Sequence, residues 1–250
     1  MSAAPLAALV TTALVASCAL LFAASLWSSW VLAGRRSAAG FAGLAMMLGW
    51  FAEQMGSSRG WFFGRYHYTE VLGPQLGNVP VAIVLMWFAL CWLGYAMACL
   101  ILWRQPVLPA PAGALQRLLT AWLAAMIITA FDLGADPYFV FVLKAWIMAR
   151  TDGGWFGETL QGFAGWMFVS FVIVSLFQAF FAPVRLASRG RRERAAALVA
   201  PAIYGFALVF QLCFGDPVEV RAVAFFAMGI ALFVALVARW QWIGETTKGP

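Results

Sequence analysis

Charge is what this sequence has least of. Only 10% of its 250 residues are Asp, Glu, Lys or Arg, against 64% hydrophobic, and its mean hydropathy is +0.87. A soluble domain could not hide that much apolar surface, so lipid must be the solvent for most of the chain. Histidine is nearly absent, with His67 alone. That excludes bis-histidine haem and the multi-histidine di-iron boxes of membrane desaturases and hydroxylases. Lysine occurs only at Lys144 and Lys248, which leaves the last apolar run without a Schiff-base lysine for retinal. No glycine-rich strand-turn-helix pattern and no P-loop appears, arguing against a flavin, nicotinamide or nucleotide. The four cysteines, Cys18, Cys91, Cys99 and Cys213, lie in apolar stretches without CxxC spacing. They indicate neither a disulfide framework nor a zinc site and read as small buried hydrophobes. The pair Asp132 and Asp136 has Asp-x-x-x-Asp spacing, but it stands alone, too little for the magnesium diphosphate site of a membrane prenyltransferase. What these absences leave is cofactor-free acid–base chemistry on an apolar substrate.

What is present is a series of apolar runs, at about 5–32, 39–54, 79–103, 117–133, 160–182, 196–214 and 220–240. At roughly 20 residues per crossing they predict seven membrane helices. Breaks fall at Gly34-Arg35-Arg36, from Pro106 to Pro111, from Pro183 to Arg194 and at Gly215-Asp216-Pro217. The first run lacks a basic n-region and exceeds a signal-peptide core, so it reads as a retained helix. A shorter apolar piece, Tyr138 to Met148, holds Lys144 and reads as an interfacial or re-entrant helix. The expected fold is all-α: a polytopic membrane helix bundle of about seven transmembrane helices plus that short helix, in a single membrane domain over 1–250.

If the spans alternate, Arg35, Arg36, Arg104, Arg117, Arg185, Arg189, Arg191, Arg192, Arg194, Arg239 and Lys248 share one face. The other receives Arg59, Arg65, Lys144, Arg150 and Arg221, a split of eleven to five. The positive-inside bias then predicts a cytoplasmic C-terminus and an outside N-terminus in a bacterial cytoplasmic membrane. The arginine run from Arg185 to Arg194 reads as a topology anchor, with no nucleic acid called for. Acidic residues divide the other way. Glu193 and Glu245 lie on the basic face, while Glu53, Glu70, Asp132, Asp136, Asp152, Glu158, Asp216 and Glu219 share the opposite end. Ionisable groups at membrane depth are costly enough to suggest function.

Three stretches concentrate these groups. The first contains Glu53 to Gly56 and then Phe63 to Pro74, with Tyr66, His67, Tyr68 and Glu70. Glu53 ends an apolar run and could reach inward, snorkel, or pair with Arg59 or Arg65. The second runs from Asp132 to Pro137. Two aspartates four apart share a helical face, and Pro137 is expected to help end that helix. Two close carboxylates in a poorly solvated place cannot both ionise cheaply, so one could keep its proton and act as a general acid; capping or pairing with Lys144 is the alternative. The third, Trp146 to Trp166, sets a Gly153-Gly154 and Gly157 turn among aromatic residues. Any single tryptophan there fits an interfacial belt, yet 13 tryptophans and 22 phenylalanines also suit the lining of a long polyene.

In these stretches the sequence resembles the integral-membrane carotenoid 1′,2′-hydratase family. Glu53 and Gly56 match its E-x-x-G. Phe63-Gly64-x-Tyr66-x-Tyr68, Leu72-Gly73 and Val79-Pro80 match its FGxYxY, LG and VP, and Asp132 with Asp136-Pro137 its paired aspartates. Gly153 to Gly157 and Gly165-Trp166 fill its glycine–aromatic and GW positions, so the family-like core covers about 50–170. Two places depart from the family pattern: Thr159 and Gly162 stand where its members have proline and asparagine, and Glu158 is added. The resemblance implies hydration of a terminal C=C of a linear or monocyclic carotenoid without metal or redox cofactor. It implies catalytic roles for Glu53, Asp132 and Asp136, with Tyr66, His67 and Tyr68 close enough in sequence to Glu53 to join them, and a substrate lining from Phe63, Trp155, Phe156 and Trp166, to which Trp50 and Trp146 add further aromatic candidates. The expected partners are a carotenoid and membrane lipid, with a homo-oligomer or membrane complex left open. A non-catalytic carotenoid-binding or assembly subunit is the alternative function, and a transporter or proton channel a third.

Overall fold

The computed structural model describes residues 3–108, 110–183 and 189–244, with side chains at 6 and from 8 onward. Arg185, Glu245 and Lys248 lie outside the described residues. The described residues form seven long helices: α1 Ala3–Ala33, α2 Arg35–Arg59, α3 Val81–Trp103, α4 Ala114–Pro137, α5 Leu160–Phe180, α6 Arg191–Phe214 and α7 Glu219–Gly244. Lipid leaves backbone groups no solvent partner, so each crossing segment must satisfy its own N–H and C=O groups as a helix.

The helix α3 is apolar on every side, and a helix of that kind belongs in the interior. It packs against all six others, and Cys91, Trp92, Tyr95 and Met97 to Leu100 are almost fully buried. Around it the outward faces carry large apolar side chains such as Leu20, Trp122, Phe168, Phe206, Phe226 and Phe233, which suits contact with lipid.

Among the described residues, six of the seven helices are long and apolar enough to cross a membrane. The seventh, α2, is diluted by Arg35, Arg36, Glu53, Gln54, Ser57, Ser58 and Arg59. Its 25 residues nonetheless reach about 37 Å, more than the roughly 30 Å hydrocarbon layer. It also runs the length of α5: Gly40 lies against Phe181, and the Gly60 carbonyl accepts from Gln161 Nε2 at 3.2 Å. Midway, Gly49 lets the Trp87 ring sit where a Cβ would be. In length and in its run along α5, α2 thus matches its crossing neighbours, although its hydropathy falls short of theirs.

Two elements differ from expectation. Pro137 ends the α-helix as expected, but not the helical path: the chain continues through a π-helical turn, Tyr138–Val142, in which Leu143 N–H donates to Tyr138 O at 3.0 Å. The piece expected as one short helix is thus a π turn followed by a strand. That strand, β4 Trp146–Met148, pairs antiparallel with β1 Tyr66–Tyr68. A smaller pair, β2 Gln75–Leu76 with β3 Val79–Pro80, leads into α3. Both pairs lie at the end of the bundle where α2 and α4 finish and α3 and α5 begin.

Candidate active site

The β1–β4 ladder decides which side chains of the first stretch face inward. Successive residues on a strand point to opposite sides. Register pairs Tyr66 with Met148, His67 with Ile147 and Tyr68 with Trp146. Tyr66, Tyr68, Trp146 and Met148 all line one pocket, while His67 and Ile147 are exposed on the other side. His67, expected among the catalytic groups, is therefore turned away from the pocket by strand alternation.

Glu53 enters the same pocket from α2 and is 3% exposed. Its Oε2 accepts from the Tyr66 hydroxyl and from the Tyr68 hydroxyl at 2.8 Å, and its Oε1 accepts from Trp87 Nε1 at 2.9 Å. Arg59 and Arg65, the salt-bridge partners considered from sequence, are exposed. An indole N–H can only donate, so Glu53 is satisfied here as an acceptor. Burial, then the neighbouring Glu53 charge, push the Tyr66 and Tyr68 phenols well above their ordinary value, and both stay O–H donors near neutral pH. Trp87 is the functional neighbour that sequence reasoning missed. Inside an apolar run nothing distinguishes it from a core tryptophan.

From the far side come Asp132 and Asp136. Because α4 stays helical through Pro137, the two sit one turn apart on one face, 3% and 8% exposed. Asp136 lines the pocket and its carboxyl makes a hydrogen bond with that of Glu158. Asp132 Oδ2 and Glu158 Oε1 are buried without a hydrogen-bond partner. Glu158 is itself only 2% exposed, and burial pushes its carboxyl up to about 7, against the opposing hydrogen bond with Asp136. Lys144, the other pairing considered for the aspartates, is exposed.

The segment that delivers Glu158 is a tight turn. Gly153 and Gly157 exchange backbone hydrogen bonds at 3.1 and 3.2 Å, and Glu158 N–H donates to Trp155 O at 2.8 Å. A Cβ on Gly153 would lie 1.9 Å from the Glu158 carbonyl oxygen, so only glycine fits. Pro137 has no N–H to give the carbonyl four residues back. That carbonyl, Leu133 O, accepts from Trp155 Nε1 at 2.9 Å. Trp155 thus anchors the turn to the proline-broken end of α4, and neither it nor Phe156 lines the pocket. Trp50 is likewise engaged elsewhere, donating to Leu76 O at 3.0 Å.

The remaining walls are Phe63, Ile83, Gly162 and Trp166. Trp166 stacks on Trp87 with centroids 4.5 Å apart, and Trp146 stacks on Phe139 at 5.4 Å. The pocket holds about 50 Å³, room for a few water molecules. Other carboxylates of this end take no part. Glu70, Asp216 and Glu219 are exposed, and exposed Asp152 pairs with Arg150 at 3.1 Å, whose guanidinium lowers its carboxyl below the ordinary value.

No solved structure matches this chain. Among curated proteins, the bisanhydrobacterioruberin hydratase of Haloarcula japonica is 31% identical over 126 residues, which make up 50% of this chain and 39% of that protein. The chain therefore matches well under half of that relative's length, in line with the resemblance to carotenoid hydratases. The family described as carotenoid biosynthesis protein matches residues 4–236, nearly the whole chain, and this protein belongs to it.

Proposed function

We propose that this protein is a carotenoid hydratase, adding water across a terminal C=C of a linear or monocyclic carotenoid by acid–base catalysis without a cofactor. The observation that carries this reading is one water-sized pocket with two kinds of carboxyl in an aromatic wall: Glu53, held by three donors, and Asp136, bonded to another carboxyl. The name of the Haloarcula relative supports the same reaction class.

Two carboxyls in hydrogen-bond contact need a proton between them, so Asp136 faces the pocket as a proton donor. It gives that proton to the less substituted alkene carbon, and the π pair forms the new C–H bond. The tertiary cation left behind lies among the aromatic rings that line the pocket, Phe63, Trp146 and Trp166, whose quadrupoles favour positive charge. Water then bonds to the cationic carbon and gives up a proton to Glu53, with the Tyr66 and Tyr68 hydroxyls orienting the oxygen. One water is consumed and a tertiary alcohol is formed. The pocket takes only the reacting end of the polyene.

Expression in cells that make lycopene or γ-carotene is expected to yield a more polar pigment heavier by one water, read by mass spectrometry. Pigment that is bound tightly and returned unchanged would overturn catalysis in favour of a binding or assembly subunit. We further propose that the pocket opens at the outer face of a bacterial cytoplasmic membrane, on the basic-residue split. Reporter fusions at Arg104 and Arg189 should then read cytoplasmic, and one at Asp152 should not.

A further inference from the structure

The hydratase reading uses Asp136 once per turnover and leaves open how it regains its proton beneath an apolar wall. Glu158 is the member of the carboxyl set that stands outside the helices. It sits on the 153–158 turn, in which Gly154 is exposed and which exposed Asp152 precedes, and its buried carboxyl points inward onto Asp136. One of its oxygens, Oε1, is fully buried and accepts no hydrogen bond from a donor of the protein. An unmatched acceptor in such a place is expensive unless something fills it part of the time. A proton arriving from the aqueous end would do so.

We propose that Glu158 is a proton-loading residue for Asp136, taking protons from the aqueous side of the 153–158 turn and passing them to the carboxyl that faces the alkene. The inference rests on the hydratase reading. Proton balance closes: Asp136 gives one proton to carbon, Glu158 replaces it and takes one from water outside, and Glu53 releases outward the proton lost by the added water. Glu158 acts through Asp136 and is a positioning and relay group, not one that touches substrate. The turn is built to hold it there, through the Gly153 contact and the Trp155 bond to Leu133 O. The charged and titratable groups facing it are Asp132 and Asp136 from α4, with Glu53 from α2 and Tyr66 beyond those aspartates. Along its own loop, Arg150 and Asp152 satisfy each other at the surface.

The test uses the full-length protein in lipid vesicles, with initial hydration rates measured from pH 6 to 8 (roughly one unit either side of the Glu158 value of about 7). The group must be protonated to deliver, so the wild-type rate should fall as pH rises through about 7. Glu158→Gln should lower the rate about tenfold or more, and lose that pH limb while binding the same pigment; Glu158→Asp should recover the limb. A second measurement needs no turnover and no variant. The infrared spectrum of the wild-type protein should show a protonated-carboxyl C=O band that titrates away with a midpoint of about 7. An active wild type whose pH limb persists in Glu158→Gln, or whose spectrum holds no such band, overturns the relay while sparing the hydratase reading. A wild type that hydrates nothing overturns both.

Discussion

The two walls of the pocket treat the same functional group in opposite ways. On the α2 wall, both oxygens of Glu53 meet donors from Tyr66, Tyr68 and Trp87. On the α4 wall, Asp136 and Glu158 have chiefly each other, and neither Asp132 Oδ2 nor Glu158 Oε1 accepts from a donor such as those around Glu53. A carboxyl ringed by donors can do its work as an acceptor, whereas carboxyls packed together must hold protons. Surroundings, not residue type, divide acid from base here.

Removing the proton donor should have the largest effect. Asp136→Asn keeps the shape but has no proton to transfer, so hydration should fall by about 10² to 10⁴ while pigment binding stays intact. Mass spectrometry and co-purified pigment measure the two separately. Asp132→Asn, one turn back and outside the pocket lining, should cost less. If Asp132→Asn costs more, the assignment of the acid on this wall is reversed.

Glu53→Gln should come next, lowering hydration by roughly 10² and also stability. The amide would set an N–H₂ group against donors that now meet an acceptor, and a stranded buried donor costs about 1–3 kcal/mol. A lowered thermal midpoint in detergent together with lost turnover is the expected pair of results. Unchanged stability would mean that the three hydrogen bonds to Glu53 are not what holds this wall.

Smaller again is Trp155→Phe. The ring can still pack, but Leu133 O loses the donor that replaces the missing proline N–H, at about 1–3 kcal/mol. Hydration should drop modestly as the turn aims Glu158 less well. Full activity with lower stability would separate the anchoring of the turn from its part in proton delivery.

Much of this was readable before any coordinates. Apolar runs mark all seven helices, and the four-residue spacing of Asp132 and Asp136 puts both on one face as observed. Glu53, Tyr66 and Tyr68 converge because Gly60, the left-handed cap of α2, and Gly64 fold the chain back within fifteen residues. What the sequence hides is contact between distant segments. The β1–β4 ladder joins residues about eighty apart, each strand only three residues long, too short for alternation to register as a pattern. Trp87 is silent for a similar reason, since its role depends on a carboxylate from another helix. The π turn after Pro137 is also unreadable, because the bond that rescues its orphaned carbonyl comes from Trp155 far along the chain.

The smallest expected effect tests that ladder. His67, as the only histidine, is what sequence alone would choose to activate water, and it lies between the two tyrosines that hold Glu53. Strand alternation sends it the other way: it pairs with Ile147 across the ladder and both are exposed. An exposed side chain away from such features usually changes stability by no more than about 0.5 kcal/mol. His67→Ala should therefore keep hydration within roughly a factor of two of wild type, in the same assay that reads Asp136→Asn. A loss of a hundredfold would put His67 in the pocket, and the register would have to slip by one residue to bring it there. That slip would carry Tyr66 and Tyr68 out with it, so the variants Tyr66→Phe and Tyr68→Phe would then be the silent ones.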